Sequence, residues 1–293
     1  MQFYWVDVFA SEPLEGNPLP VVVDADVLDE ATMKRIAREF NQAETTFVLK
    51  PSRPEATYRL RSFTVPGHEV FGAGHNALGA WWLLAAAGYV KGEGPVTFHQ
   101  ELGGDVLPVE VLFEGHEVQR IVMKHARPSF GATVSDARRL ASALGLDVSD
   151  IDLSRFPAQV VSTGAPHCLI PVRNRDAIDR ARPDAARLLA ILREAGGEGC
   201  YIFSLDPLDR GSTAYARFFN PTVGIYEDSA TGTAAGPLSA QLVAKGIVPD
   251  GSTVIIEQGY AMGRPSRIEM RVHGDDVRLR GRGVILAEGV LRI

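Results

Sequence analysis

Two stretches decide how this chain folds: Glu69-Val70-Phe71-Gly72-Ala73-Gly74-His75-Asn76-Ala77 and, 158 residues on, Glu227-Asp228-Ser229-Ala230-Thr231-Gly232-Thr233-Ala234-Ala235. In each, a glutamate is followed five residues later by a glycine, and the glycine opens an apolar run. Upstream, Glu44-x-x-Phe47-Val48 and Arg61-x-Phe63-Thr64 recur in the same order as Glu198-x-x-Tyr201-Ile202 and Arg217-x-Phe219-Asn220, at offsets of 154 and 156 residues. These offsets are close to half of the 293-residue chain. The pattern indicates an internal duplication that yields two similar lobes.

Working outward, the run after the first glycine loop, Asn76–Ala87, is apolar on almost every side, which predicts a buried helix rather than an amphipathic one. Ala234–Lys245 plays the same part after the second loop. Asp29 is a capping residue ahead of Met33, Ile36, Ala37 and Phe40 at helical spacing, with Asn41 as the stop. Ser135–Leu144 and Pro183–Ala195 also have helical spacing. Strand-like segments run from Gln2 to Phe9, Leu19 to Val23, Thr45 to Lys50, Thr57 to Phe63, Val96 to Phe98, Val106 to Phe113 and Val118 to Lys124. Later ones are Val160–Val172, Gly199–Leu205, Thr253–Gln258, Arg267–His273, Val277–Arg280 and Val284–Ile293, and Ala126-Arg127-Pro128 reads as a hinge.

Composition narrows the function. The 30 basic and 36 acidic side chains leave a net charge of -6, which repels polyphosphates and anionic bilayers, so neither nucleic acid nor membrane is an expected partner. The first residues lack the basic flank of a targeting segment, and two cysteines suit a reducing compartment, so the expected location is the cytoplasm. No paired cysteine or histidine spacing suggests a metal, and no glycine-rich nucleotide loop is present, so no cofactor is expected.

Paired glycine-rich turns entering buried helices direct attention to small anions. Helix N-termini carry unsatisfied N–H groups and partial positive charge, and two of them facing one cleft would hold a carboxylate-bearing small molecule. Gly74 and Gly232 let the backbone approach such a ligand closely. The ionisable neighbours are His75, Glu227 and Asp228, with Glu44 beside an apolar strand where partial burial favours a proton-shuttling carboxylate. Each could instead be a helix cap or a solvated loop acid. His167 and Cys168 adjoin, but adjacent strand residues point to opposite faces, which argues against a thiol–imidazole pair.

Taken together, Glu15-Gly16-Asn17-Pro18, Asn41 to Val48 (NQAETTFV), Glu69 to His75 (EVFGAGH), Thr163-Gly164 to Pro171 and Glu227 to Leu238 (EDSATGTAAGPL) resemble the phenazine-biosynthesis PhzF-like family, in order and across nearly the whole chain. The resemblance implies an α+β fold similar to diaminopimelate epimerase. Each of its two pseudo-symmetric lobes is a mostly antiparallel, barrel-like sheet wrapped round a central helix, here 76–87 and 234–245. Residues 1–125 with the last strand, 282–293, would form the first lobe and 126–281 the second, and homodimers are common in the family.

By the same resemblance, Glu44 matches the glutamate that moves a proton between carbons, His75 the cleft histidine and Asp228 the aspartate contacting substrate. Gly74, Asn76, Gly232 and Thr233 fall at substrate-binding positions. Thr233 stands where serine is usual, Ser229 where proline is usual, and Val65-Pro66-Gly67-His68 is one residue longer than the family pattern. Diaminopimelate epimerase needs a cysteine in each loop, and those places hold Gly74 and Asp228, which disfavours two-thiol racemisation. The expected activity is a cofactor-independent isomerisation of a small carboxylate-bearing metabolite with Glu44 as acid and base. The alternatives are an amino-acid epimerase using Glu44 and Asp228, and a non-catalytic metabolite-binding protein.

Overall fold

The computed structural model describes residues 1–293. Two compact units emerge from it, Met1–Lys124 with Arg280–Ile293, and His125–Leu279. The first contains β1 (Gln2–Val8), β2 (Asn17–Val22), α1 (Glu30–Phe40), β3 (Thr45–Leu49), β4 (Tyr58–Phe63), β5 (Glu69–Val70), α2 (His75–Ala86), β6 (Gly94–Leu102), β7 (Asp105–Glu114) and β8 (Glu117–Lys124). Strand β1 pairs antiparallel with β2, β2 runs parallel to β3, and β3 pairs antiparallel with β4. In turn β4 is antiparallel to β5 and parallel to β6, and β6, β7 and β8 form an antiparallel meander. The C-terminal strand Gly283–Val290 lies antiparallel to β1.

The second unit holds β9 (Ser129–Val134), α3 (Ala137–Leu144), β10 (Ala158–Ser162), β11 (Pro166–Pro171), α4 (Arg175–Arg180), α5 (Ala185–Ala195), β12 (Gly199–Ser204), β13 (Ala214–Asn220) and β14 (Ile225–Asp228). It continues with α6 (Gly232–Ala244), β15 (Thr253–Gln258), β16 (Ser266–His273) and β17 (Asp276–Gly281), which leads to the C-terminal strand, β18. Here β10 is antiparallel to β11, β11 parallel to β12, and β12 antiparallel to β13. Strand β13 is antiparallel to β14 and parallel to β15, which pairs antiparallel with β16. Thus β10 to β15 repeat the connectivity of β1 to β6, and β9 flanks β10 as β18 flanks β1. The duplication seen in the sequence is a duplication of topology, and the fold is α+β.

Two helices explain the sheets around them. Residues His75–Ala85 of α2 are buried on every face, as are Ala234–Leu242 of α6. A helix without a polar face must be enclosed, and each large apolar side chain so buried stabilises the fold by about 1.5–3 kcal/mol. Trp81 shows how closely α2 is fitted: its ring stacks on Phe98 at 5.5 Å, and its indole N–H donates to Gln100 Oε1 at 2.9 Å. A Cβ on Gly79 would fall 2.6 Å from Val8 Cγ2, and one on Gly236 would fall 2.4 Å from His125 Nδ1, so both helices pass too close to their neighbours for any side chain there. By contrast α1 is amphipathic. Only Met33, Ile36 and Ala37 are buried, Asp29 caps the Thr32 N–H at 2.8 Å, and Asn41 ends the helix at φ 52°.

Polar struts are duplicated as well. Arg61 donates from Nε and Nη2 to the two carboxylate oxygens of Glu69 at 2.7 and 2.6 Å, with its guanidinium over Phe63. Arg217 grips Glu227 in the same bidentate way at 2.8 and 2.8 Å, with its guanidinium over Phe219. The repeated Arg-x-Phe and Glu are therefore a clamp tying β4 to β5 and β13 to β14, so Glu227 is structural rather than a loop acid. A second device recurs: buried Glu101 accepts from the Ser52 N–H at 2.7 Å, and buried Glu257 from the Leu208 and Asp209 N–H groups at 2.7 and 2.8 Å. Each pins the hairpin loop between the two preceding long strands.

Some elements differ from the sequence expectation. The run Val160–Val172 is two strands, because Gly164 at φ 134° breaks it into the β10–β11 hairpin. Strand β13 is buried at every position, so it lacks the alternation that marks a half-buried strand, and exposed β9 lacks an apolar face. Beneath α6, His125 Nδ1 lies 3.0 Å from Thr163 Oγ1, and His167 Nε2 lies 3.3 Å from Thr233 Oγ1. Burial pushes these imidazoles down to about 4 and about 3.

Two predictions follow from this packing. Glu227→Gln leaves a buried guanidinium without its counter-charge and should destabilise by about 3 kcal/mol in urea unfolding, against about 1 kcal/mol for Glu69→Gln in the more exposed clamp. Because His125 and His167 are neutral when folded and protonate on unfolding, the unfolded chain binds more protons below its ordinary histidine value of 6.5. Stability should be complete above that pH and fall towards pH 4 by about 1.4 kcal/mol per unit for each histidine. A urea midpoint that does not move between pH 7 and pH 5 would contradict this.

Candidate functional site

The first glycine loop is held by a chain of hydroxyls and one amide. Thr46 Oγ1 on β3 lies 2.8 Å from Ser62 Oγ on β4, and Asn76 Nδ2 donates to Ser62 Oγ at 3.2 Å and to the Gly72 carbonyl at 3.0 Å. Asn76 Oδ1 accepts from the Gly74 N–H at 2.9 Å. The Asn76 side chain and the Gly74 N–H, both at expected substrate-binding positions, are therefore occupied in shaping the loop. The N–H groups of His75, Asn76 and Ala77 remain without partners inside the helix, and no acid in the first turn of α2 neutralises them.

Glu44 immediately precedes β3, half-buried, with its Oε2 inside the protein. It interacts electrostatically with His75. His75 is buried at the start of α2; desolvation lowers its pKa more than the Glu44 charge raises it, so the imidazole is neutral near pH 7. Its Nε2 is buried and meets no protein partner. The buried imidazole thus opens α2 at its positive end, within electrostatic reach of the Glu44 carboxylate. Residues 65–68 form a tight turn, closed by Thr64 N–H to His68 carbonyl and Gly67 N–H to Thr64 carbonyl, with Gly67 at φ 88°.

The second loop is held differently. Asp228 is buried at the end of β14, and its Oδ2 accepts from the Thr231 hydroxyl. Gln258, the last residue of β15, donates to the Asp228 carbonyl at 2.8 Å and accepts from the Tyr201 hydroxyl at 2.8 Å and the Thr231 N–H at 3.2 Å. Ser266 Oγ donates to the Ser229 carbonyl at 3.2 Å. Thr231 occupies the N-cap position of α6 without capping it through its side chain, the first turn of α6 also lacks an acid, and Thr233 stands half-buried within it. Sequence reasoning missed Gln258, Tyr201 and Thr231. Their signal is faint: an amide closing an apolar strand just before a glycine.

Neither cysteine belongs to a site. Cys168 and Cys200 are register partners on β11 and β12, wholly buried in the apolar core, and burial pushes the Cys168 thiol up to about 12. His167, the neighbour of Cys168 in the chain, turns to Thr233 instead. No helix is long and apolar enough to cross a membrane.

Comparison with known proteins agrees with this architecture. The model of the phenazine biosynthesis-like proteins matches residues 6–289. The uncharacterized isomerase YddE of Escherichia coli is 36% identical over 297 residues, covering 97% of this chain and 96% of that protein. The trans-2,3-dihydro-3-hydroxyanthranilate isomerase of Pseudomonas aeruginosa is 34% identical over 294 residues, with the same coverage of 97% and 96%. A phenazine biosynthesis protein of the PhzF family from Bacillus anthracis superposes with a TM-score of 0.91 at 28% identity, covering 100% of this chain and 99% of its own. With sequence and fold both matched from end to end, the chain belongs to the phenazine biosynthesis-like family, and it is an isomerase.

Proposed function

We propose that the chain isomerises a small carboxylate-bearing metabolite by general acid–base catalysis, with Glu44 taking a proton from one carbon and returning it to another. The observation that carries the reading is the pairing of Glu44 with a neutral His75 at the uncompensated N-terminus of α2. A charged imidazole there would hold Glu44 as a spectator ion. A neutral one leaves the carboxylate basic and offers a hydrogen bond for orientation. Carboxylates abstract protons only from carbon already acidified by conjugation, so the substrate carries an unsaturated or electron-withdrawing group beside the reacting C–H.

Substrate charge is held by the helix N–H groups, and Asp228 and Thr233 bind further polar groups. Trans-2,3-dihydro-3-hydroxyanthranilate, named for the Pseudomonas relatives, has both the carboxylate and the unsaturation this chemistry needs, and it is the first substrate to assay. The pH profile should show no requirement for a protonated His75, since burial lowers its pKa.

Glu44→Gln keeps the shape and removes the base. It should lower kcat on that substrate by about 10²–10⁴-fold and abolish deuterium uptake from heavy water, while KM changes little. Undiminished turnover by the variant would refute the assignment. Asp228→Asn, by contrast, should act mainly through KM.

A further inference from the structure

The acid–base reading does not use His167, yet this side chain makes a specific contact. His167 is 97% buried on β11, and its ring stands edge-on to Phe218 with centroids 5.0 Å apart. Its Nε2 lies 3.3 Å from Thr233 Oγ1, in the first turn of α6, and its Nδ1 is buried with no protein partner. The Thr233 hydroxyl makes no other hydrogen bond within the protein, so the direction of this one bond decides where the hydroxyl proton points.

Burial keeps the imidazole neutral, with a pKa near 3, so it carries a single N–H. Were that proton on Nδ1, a buried N–H would have no acceptor, which folded proteins almost never tolerate. Placed on Nε2, it leaves only a lone pair unfilled at Nδ1, a much smaller loss. The Nε2–H then donates to Thr233 Oγ1. The threonine hydroxyl, barred from donating to His167, must turn its own proton elsewhere, and no protein acceptor receives it.

We propose that His167 is a positioning residue that presents the Thr233 hydroxyl to the substrate as a hydrogen-bond donor. The group Thr233 contacts is then an acceptor, a carboxylate or carbonyl oxygen, rather than an ammonium. This rests on the reading of Thr233 as a substrate contact, and it adds the polarity of that contact. It also accounts for a histidine held so far from its ordinary titration range. Only the other neutral tautomer, with its proton on Nδ1, would turn Nε2 into an acceptor and reverse the bond.

The tautomer can be read without any substrate. Long-range proton–nitrogen correlation on protein labelled with ¹⁵N-histidine, the His167 signals assigned by their loss in His167→Gln, should show the proton on Nε2 at pH 7. A proton on Nδ1 with Nε2 bare, which makes Nε2 the acceptor, overturns the proposal. With trans-2,3-dihydro-3-hydroxyanthranilate as the probe, His167→Phe preserves the aromatic packing and should raise KM about tenfold with kcat nearly unchanged, the worth of one hydrogen bond. The same change made on a Thr233→Val background should have no further effect. An equal rise in KM there would mean that His167 acts only through packing, and the proposal would fall. Full activity of Glu44→Gln would sink the acid–base reading but leave the tautomer result standing, so the two failures are distinguishable.

Discussion

The rest of the structure depends on one constraint: α2 and α6 have no polar face. A helix that is apolar on every side cannot lie on a sheet with its back to water, so strands must surround it, and only its termini can reach anything polar. The long excursions of each unit, with parallel steps between β2 and β3 or β11 and β12, are how one chain encloses such a helix. The helix N-terminus is then the natural outlet for chemistry, since the N–H groups there cannot be satisfied inside the helix. That is where both glycine loops lie.

Duplication preserved the scaffold and let the polar hardware diverge. The Arg–Glu clamps and the buried glutamates that pin hairpin loops survive in both copies with nearly the same geometry, because each holds strands against strands. The loops do not match in this way. The first is tied by Asn76, Ser62 and Thr46, the second by Gln258, Tyr201 and Thr231. The groups they present differ too, a carboxylate with an imidazole in one unit, a carboxylate with a hydroxyl in the other.

Histidine is used here in an unusual way. His75, His125 and His167 are all buried, and desolvation drives each below its ordinary value. His125 and His167, at about 4 and about 3, are not pH switches near neutrality. Each lies beside a threonine hydroxyl as a neutral polar group, at the cost of acid stability.

Much of this was legible in the sequence. The helix at 30–40 could be placed from Asp29, its apolar spacing and Asn41, because caps and periodicity are local. The two enclosed helices followed from their composition and the duplication from spacing, while the family motif supplied Glu44, His75, Asp228 and Thr233 as the candidates proposed above. What the sequence could not show was which polar side chains are consumed in holding the loops. Asn76 looks like a ligand in the motif and is a brace in the structure, and Glu227, a candidate loop acid, is the partner of Arg217. His167 and Thr233 are separated by 66 residues, and nothing local connects them. A hydrogen bond depends on ångström-scale distance and direction, which the packing of distant strands decides, whereas helix ends and burial patterns are written in neighbouring residues.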